Sequence, residues 1–255
     1  MSEPNDRTDE GQAPDETRQM PTAADESDDA PAAEVPGTPD APESEDTEEP
    51  EEQGPYLKAD NLKAHGHHGT IIEKFSVSGD KGQIVAVTGN ADTGRTTALL
   101  SLSGRFQFDT GVLTVGGEDN QRAIRQLCAM PTAEPAIHCD EYHTIRDIAL
   151  ETEIATQKRA QRSEIENWIS DLGVSTGART LWGHLSQYDK KLVGIALAAA
   201  ENTPVIMLDD VDAGLDVAES DLIFGAVRSV ADRDRLVVVS CVRGNPPADT
   251  VIALR

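Results

Sequence analysis

The stretch Gly89-Asn90-Ala91-Asp92-Thr93-Gly94-Arg95-Thr96-Thr97 decides the fold. The apolar run Ile84-Val85-Ala86-Val87 leads into it, and Thr97-Ala-Leu-Leu-Ser-Leu102 follows with helical character. Strand, glycine loop and helix in this order make a P-loop. Its two glycines let the backbone curl, so that loop N–H groups and the next helix N-terminus face a phosphate chain. The usual pattern places Lys just before the Ser/Thr, and this chain has Arg95 there. Taken alone, the stretch also fits an ordinary strand, turn and helix, and the rest of the chain separates the two.

Residues 1–54 differ in composition from everything after them. They hold nineteen Asp or Glu against two Arg, so most of the net charge of −24 lies there, together with eight prolines and no aromatic residue. Such a composition buries too little apolar surface to offset backbone entropy, and the expectation is a disordered acidic tail. It lacks the basic start and apolar centre of a secretory signal. The tail reads as a solvated, self-repelling segment or as an electrostatic partner for a basic protein surface; it would repel nucleic acid and anionic lipid. Residues 55–255 are expected to form one domain, at about 200 residues large enough for a proper core. The longest apolar candidate, Leu192 to Ala200, is far too short to span a bilayer. Cys128, Cys139 and Cys241 are odd in number and show no paired spacing, which suggests a reducing, cytosolic compartment.

Along this domain, Tyr56 to Lys63 alternates weakly and reads as an edge strand, His65 to Gly69 as a turn, and Phe75 to Gly82 as a strand end with a hairpin turn. Ile84–Val87 is continuously apolar, as a strand covered on both faces requires. Phe108 to Gly117 is another alternating strand with glycine turns, and Leu127 to Pro131 a short one ended by proline. From Thr144 to about Ala200 the pattern turns helical. Thr144 with Asp147 resembles a capping box, Ile145, Ile148, Ala149 and Ile154 form a stripe, and Ser163 to Gly173 has a cap at one end and a stop at the other. Val205–Leu208, Leu236–Val239 and Val251–Leu254 return to strand. The order suggests an α/β core with a helical insertion at about 140–200. His138, Cys139 and His143, and the His65/His67/His68 group, lack the four-ligand spacing of a structural zinc site, and the histidines read as solvated loop residues.

From about Tyr56 to Arg255 the chain resembles the nucleotide-binding subunits of ABC transporters, with the motifs in the family's order. Leu185-Ser186 stands where the LSGGQ signature begins, and Val205-Ile-Met-Leu-Asp209-Asp210-Val-Asp-Ala-Gly-Leu-Asp216 is similar to the segment of four apolar residues followed by DEPTSGLD. Asp109 to Gly116 resembles the strand after the P-loop helix, and His143-Thr-Ile-Arg-Asp-Ile148 resembles the LTVREN helix start. The resemblance implies a P-loop NTPase fold of ABC type: a mostly parallel sheet core, an antiparallel β subdomain and a helical insertion. It implies that Gly89, Asn90, Ala91, Asp92, Thr93, Gly94, Arg95, Thr96 and Thr97 hold ATP. Thr96 and Asp209 would serve Mg²⁺, Asp210 would be the catalytic carboxylate, and Ser186 would meet the nucleotide of the opposite subunit.

The departures from the family bear on activity. Arg95 is longer, planar and forked where the family has a compact lysine. Asp92 stands where glycine is usual and brings a carboxylate near the phosphate path. Asp210 is one methylene shorter than the family's glutamate, and a misplacement of about 1 Å can cost two orders of magnitude in rate. Gln187 and Tyr188 occupy positions where close backbone approach needs glycine. Thr132 aligns with the family's glutamine and Val242 with its switch histidine, and an adenine-stacking group would lie near His65–His68. The expectation is an ATP-binding subunit that binds ATP–Mg²⁺, docks on a membrane permease at the inner face of the cell membrane, and hydrolyses weakly, as a homodimer or paired with another ATP-binding subunit. The alternative is an interaction or regulatory module that keeps the fold without the ATPase chemistry. A small-molecule P-loop kinase is disfavoured by the Asp216 loop and the helical block.

Because a segment of this composition is expected to contribute no core residues, a truncated chain beginning at Tyr56 should melt at the temperature of the full chain. A drop of more than a few degrees, read by calorimetry, would show that the tail packs on the domain.

Overall fold

A strand apolar on both faces has to be covered from both sides, and the run Ile84–Val87 sets the layers. The computed structural model describes residues 54–66 and 69–254. Within them, β1 (Leu57–Gly66) and β2 (Gly69–Gly79) form an antiparallel pair, followed by β3 (Ile84–Thr88), α1 (Arg95–Leu102), β4 (Thr110–Val115), α2 (Gln121–Leu127) and β5 (Cys128–Ala129). Then come α3 (Ile145–Ala155), α4 (Arg162–Asp171), a short 3₁₀ turn at Trp182–His184 and α5 (Gln187–Ala200). The chain closes with β6 (Val205–Leu208), α6 (Val217–Ala231), β7 (Leu236–Cys241) and β8 (Thr250–Ala253). Two sheets result: an antiparallel one in the order β2-β1-β4, and a parallel one in the order β5-β6-β7-β3-β8.

The period of two along a strand divides the core. Ile84 and Ala86 of β3, with Ile206, Leu208, Val237 and Val239, pack with α3, α4, α5 and α6. Val85 and Val87, with Val205, Met207, Leu236 and Val238, face the other way onto α1, Ile124 of α2 and the antiparallel sheet. Three layers follow, with every residue of β3, β6 and β7 buried. The run Leu192–Ala200 is the buried part of α5, and no described helix is long and apolar enough to cross a membrane.

Local sequence reading differs from the structure at four places. The Tyr56–Lys63 segment is the centre of its sheet, not an edge, because β2 and β4 both pair with β1. Its alternation is weak because Asn61 takes φ 52° and the register shifts between Ala59 and Leu62, so Leu57, Ala59, Leu62 and Ala64 still reach the core. Asp80–Gly82 is not a hairpin turn. It carries the chain from one sheet to the other, and Gly82 at φ 81° donates its N–H to the Arg235 carbonyl. Helix α4 begins at Arg162 with Gln161 as an uncapped start, not at Ser163. Ile154 lies on the exposed side of α3, whereas Ile145, Ile148 and Ala149 are buried. The turn read at His65–Gly69 includes His67 and His68, which lie outside the described residues. The capping box is present: Thr144 accepts from the Asp147 N–H, and Asp147 accepts from the Thr144 N–H at 3.0 Å.

One ion pair fixes where β3 starts. Asp249 accepts from the Ile84 N–H at 2.7 Å and from Arg228 Nη2 at 2.7 Å, and Arg228 Nη1 donates to the Gly82 carbonyl at 3.1 Å. Burial works against the Asp249 charge, but the Ile84 N–H and the Arg228 guanidinium outweigh it and hold the carboxyl below its ordinary range. A carboxyl with a depressed folded pKa adds stability above its unfolded value of about 3.9, and that stability is lost as pH falls through the folded value. Asp249→Asn should therefore destabilise by about 1 kcal/mol at pH 7, since the pair is partly exposed. In paired urea titrations, the difference from wild type should shrink steadily below about pH 4.

Candidate functional site

The glycine loop leaves the buried end of β3 and delivers the chain to α1. Gly94 is the N-cap residue of α1 at φ 87°, with no side-chain cap, so the N–H groups of Arg95, Thr96 and Thr97 precede the first helical bond, Ala98 N to Gly94 O at 2.8 Å. A Cβ on Gly94 would lie 2.8 Å from the Ile71 carbonyl oxygen, and one on Gly89 would strike Thr93 Oγ1, so both positions need glycine. Asp92 takes φ 66°, and Asp tolerates this left-handed conformation better than most side chains do. Its carboxylate is exposed. Thr93 Oγ1 donates to the Asn90 carbonyl at 2.9 Å and closes the loop. The N–H groups of Arg95, Thr96 and Thr97 thus stand at a helix N-terminus, the local geometry that receives phosphate.

Three strand ends meet this loop through one carboxylate. Asp209 follows β6 directly; Thr96 Oγ1 donates to its Oδ2 at 2.8 Å, and Ser240 Oγ, from the end of β7, donates to its Oδ1 at 2.5 Å. Ser240 Oγ also accepts from the Asp210 N–H at 2.7 Å. Asp210 then turns at φ 46° and brings its Oδ1 2.9 Å from Arg95 Nη2. The Arg95 side chain is only 9% exposed. Its Nη1 and the Asp210 Oδ1 have no aligned hydrogen-bond partner, so charge holds this pair more than a linear N–H···O does. Burial raises the Asp210 carboxyl above its ordinary range, the Asp209 charge adds to the rise, and Arg95 and Lys191 oppose it.

Lys191 of α5 shares a recess of about 230 Å³ with Thr132, Glu134, Gln187, Asp209 and Asp210. Burial lowers its ammonium below the usual lysine range, and the Asp210 and Asp209 carboxylates pull the other way. Asp212, 8% exposed, accepts from the backbone N–H groups of Val242 at 2.8 Å and Arg243 at 2.9 Å. Sequence reasoning passed over Ser240, Asp212 and Lys191. Ser240 had a visible signal, a lone hydroxyl ending the apolar run Leu236–Val239; the other two reach the site only through tertiary packing.

The remaining sequence candidates lie apart from the loop. Ser186 is the N-cap of α5: its Oγ accepts from the Asp189 N–H at 3.0 Å and donates to Asp189 Oδ2 at 2.8 Å. It makes no bond to the P-loop among the described residues. Gln187 lies against Gly214, where an added Cβ would sit 3.5 Å from Gln187 Cγ. The Val242 side chain is 55% exposed and offers no polar group. His65 Nδ1 lies 2.8 Å from Asp109 Oδ2, at the far end of β1.

These geometries can be set beside known proteins. The ABC transporter family profile matches residues 72–213, more than half of the chain. A Haemophilus influenzae protein named "Probable ABC transporter ATP-binding/permease protein" is 27% identical over 181 residues, covering 67% of this chain and 32% of that protein. The energy-coupling factor transporter ATP-binding protein EcfA2 of Methanospirillum hungatei is 23% identical over 73% of this chain and 49% of its own length. The SkfA peptide export ATP-binding protein SkfE of Bacillus subtilis is 23% identical over 72% of this chain and 77% of its own. The chain thus spans about a third and about half of the first two relatives. Among solved structures, the ATP-binding subunit of an ABC transporter superposes with a TM-score of 0.64 at 18% identity, covering 78% of this chain and 86% of that one. A bacterial Atm1-family ABC exporter with ATP bound gives 0.62 at 20% identity, over 80% and 37%. At these identities the structural likeness is one of fold, and it agrees with the parallel sheet, antiparallel sheet and helices described above. The chain belongs to the ABC transporter family, and its described part has the fold of that family's ATP-binding domain.

Proposed function

We propose that this chain binds ATP with Mg²⁺ at Gly89–Thr97, docks as a peripheral subunit on the cytoplasmic side of a membrane permease, and hydrolyses ATP weakly. The observation that carries the reading is the convergence of Thr96, Asp209 and Ser240 beside the loop N–H groups, from positions far apart in sequence. A hydroxyl and a carboxylate side by side are hard oxygen donors, the set that Mg²⁺ takes together with phosphate oxygens. Thr96 would hold the cation, with Asp209 fixing its hydroxyl, and a Mg²⁺ held there would supply charge neutralisation to the phosphates. The loop N–H groups hold the phosphates, and Asp210 is the base that would orient water.

Weak hydrolysis is supported by three separate features. Asp210 is short and faces Arg95. Val242 stands where a polar side chain is needed. Ser186 bonds to its own helix cap, beside Gln187 and Tyr188 where glycines would allow close approach. Docking on a permease is supported by large apolar side chains left in water on and beside α3: Tyr142 at 83% exposure, with Leu150 and Ile154. The chain would act as a homodimer or pair with another ATP-binding subunit. The net charge of −24 disfavours nucleic acid as a partner. The Ser186–Asp189 bond also supports a second reading, an interaction module that keeps the fold and has lost the chemistry.

Titration with ATP and Mg²⁺ tests the loop. Arg95→Ala should weaken ATP binding, because it removes the cation and leaves Asp210 beside Asp209 unpaired, whereas Arg95→Lys should bind equally or better. Equal affinity in wild type and Arg95→Ala would remove the P-loop reading.

Phosphate release by the purified protein tests the chemistry. Groups acting as a unit are strongly non-additive, so Asp210→Glu alone should stay near background. The combination Asp210→Glu, Val242→His, Gln187→Gly and Tyr188→Gly should turn over faster. Robust Mg²⁺-dependent turnover by the unmodified protein, lost in Asp209→Asn, would overturn the claim of a weakened site.

A further inference from the structure

Helices α3 and α4 pack together, and the chain after α4 turns back to the start of α3. The Val174 N–H donates to the Ile169 carbonyl at 3.1 Å, and the Arg146 N–H donates to the Ala178 carbonyl at 3.0 Å. The segment from Val174 to Ala178 is therefore held at both ends, and a recess of about 370 Å³ opens among it and the two helices. That volume lies in the range of small-molecule sites. Much of its lining is aliphatic: Ile145 and Ala149 are buried, and Ile169 and Val174 are half-buried against the same core.

Two polar groups on this lining lack partners. The Arg146 guanidinium makes no ion pair and no hydrogen bond among the described residues, because its neighbour Asp147 is turned to the Thr144 cap. Glu166, the carboxylate on the lining, stands 3.7 Å from Arg162 instead. Thr176 Oγ1 is shut off from water and has no hydrogen-bond partner, a state that few buried hydroxyls keep. Thr176 lines the recess, so a turn of its χ1 to another staggered position brings the hydroxyl there. The Ala178 carbonyl ties the segment to Arg146, which puts the hydroxyl and the guanidinium on one rim.

An aliphatic floor selects an apolar body. A planar guanidinium matches a carboxylate through two parallel N–H···O bonds, and the hydroxyl supplies a further donor. One unpaired cation near one carboxylate suits a single negative charge; a phosphate dianion would meet Glu166 with only Arg146 to offset it. We propose that this recess binds a small aliphatic monocarboxylate, with its chain on Ile145, Ala149, Ile169 and Val174 and its head on Arg146 and Thr176. The site lies in the helical block and is independent of the reading of Gly89–Thr97.

The test is an amide-resolved NMR titration of the full-length protein with octanoate, with acetate and octylammonium as the head alone and the chain with the opposite charge. Octanoate should saturate at one molecule per chain and shift the amides of residues 145–149 and 166–178, while acetate and octylammonium bind at least about tenfold more weakly. Arg146→Gln should weaken octanoate about tenfold and leave octylammonium level. Thr176→Val keeps the shape of the side chain and should weaken octanoate while leaving the fold at least as stable, since the unpartnered hydroxyl is gone. Equal binding of octanoate and octylammonium by the unmodified protein overturns the proposal whether or not any variant folds. So does octanoate that fails to saturate or shifts amides elsewhere, and so does unchanged octanoate affinity in a folded Arg146→Gln.

Discussion

Asp209 is bonded at both oxygens, to Thr96 at the start of α1 and to Ser240 at the end of β7. A parallel sheet leaves its strand ends side by side, but hydrogen bonds between strands do not fix how far each loop projects beyond them. The two bonds from Asp209 supply that missing constraint. They tie the helix after β3, the end of β6 and the end of β7 to one point. Ser240 then passes the constraint on to the Asp210 N–H, so the turn that carries Asp210 is positioned by the same carboxylate. The start of α1, the end of β6 and the Asp210 turn are thus held relative to one another by these four residues.

The layered fold was legible because burial writes itself into composition. Ile84–Val87, Val205–Leu208 and Leu236–Val239 are apolar at successive positions, which only strands covered on both faces can be. The loop glycines were legible for a similar reason, since Gly94 has a left-handed backbone and no room for a side chain. The place of β1 in its sheet was not legible. Its register shifts around Asn61 break the alternation that would have announced a central strand. The turn at Asp80–Gly82 misled for another reason: a turn sequence states that the chain bends, not which sheet it joins next.

The site was legible by position and not by contact. Thr96, Asp209 and Asp210 could be named from the resemblance to the family's motifs, but their partners could not, because Ser240 and Lys191 arrive from other elements. Arg95 and Asp210 were each visible as departures from a pattern; that they face one another is a property of the fold. Two substitutions which look independent along the chain are one electrostatic unit in space. The same holds for Asp92. As a letter it places a negative charge near the phosphate path, but its exposed side chain at φ 66° shows a residue that meets the conformational demand normally left to glycine.

Asp212 carries a mechanical consequence. Its carboxylate grips two successive N–H groups, those of Val242 and Arg243, while Arg243 also pairs with Asp221 on α6. The segment after β7 is thereby riveted to the Asp210–Gly214 turn and to the helix behind it. A loop pinned at three points has no hinge of its own. Any displacement of it is a displacement of the whole turn, so a partner pressing on either surface would move both as a single lever.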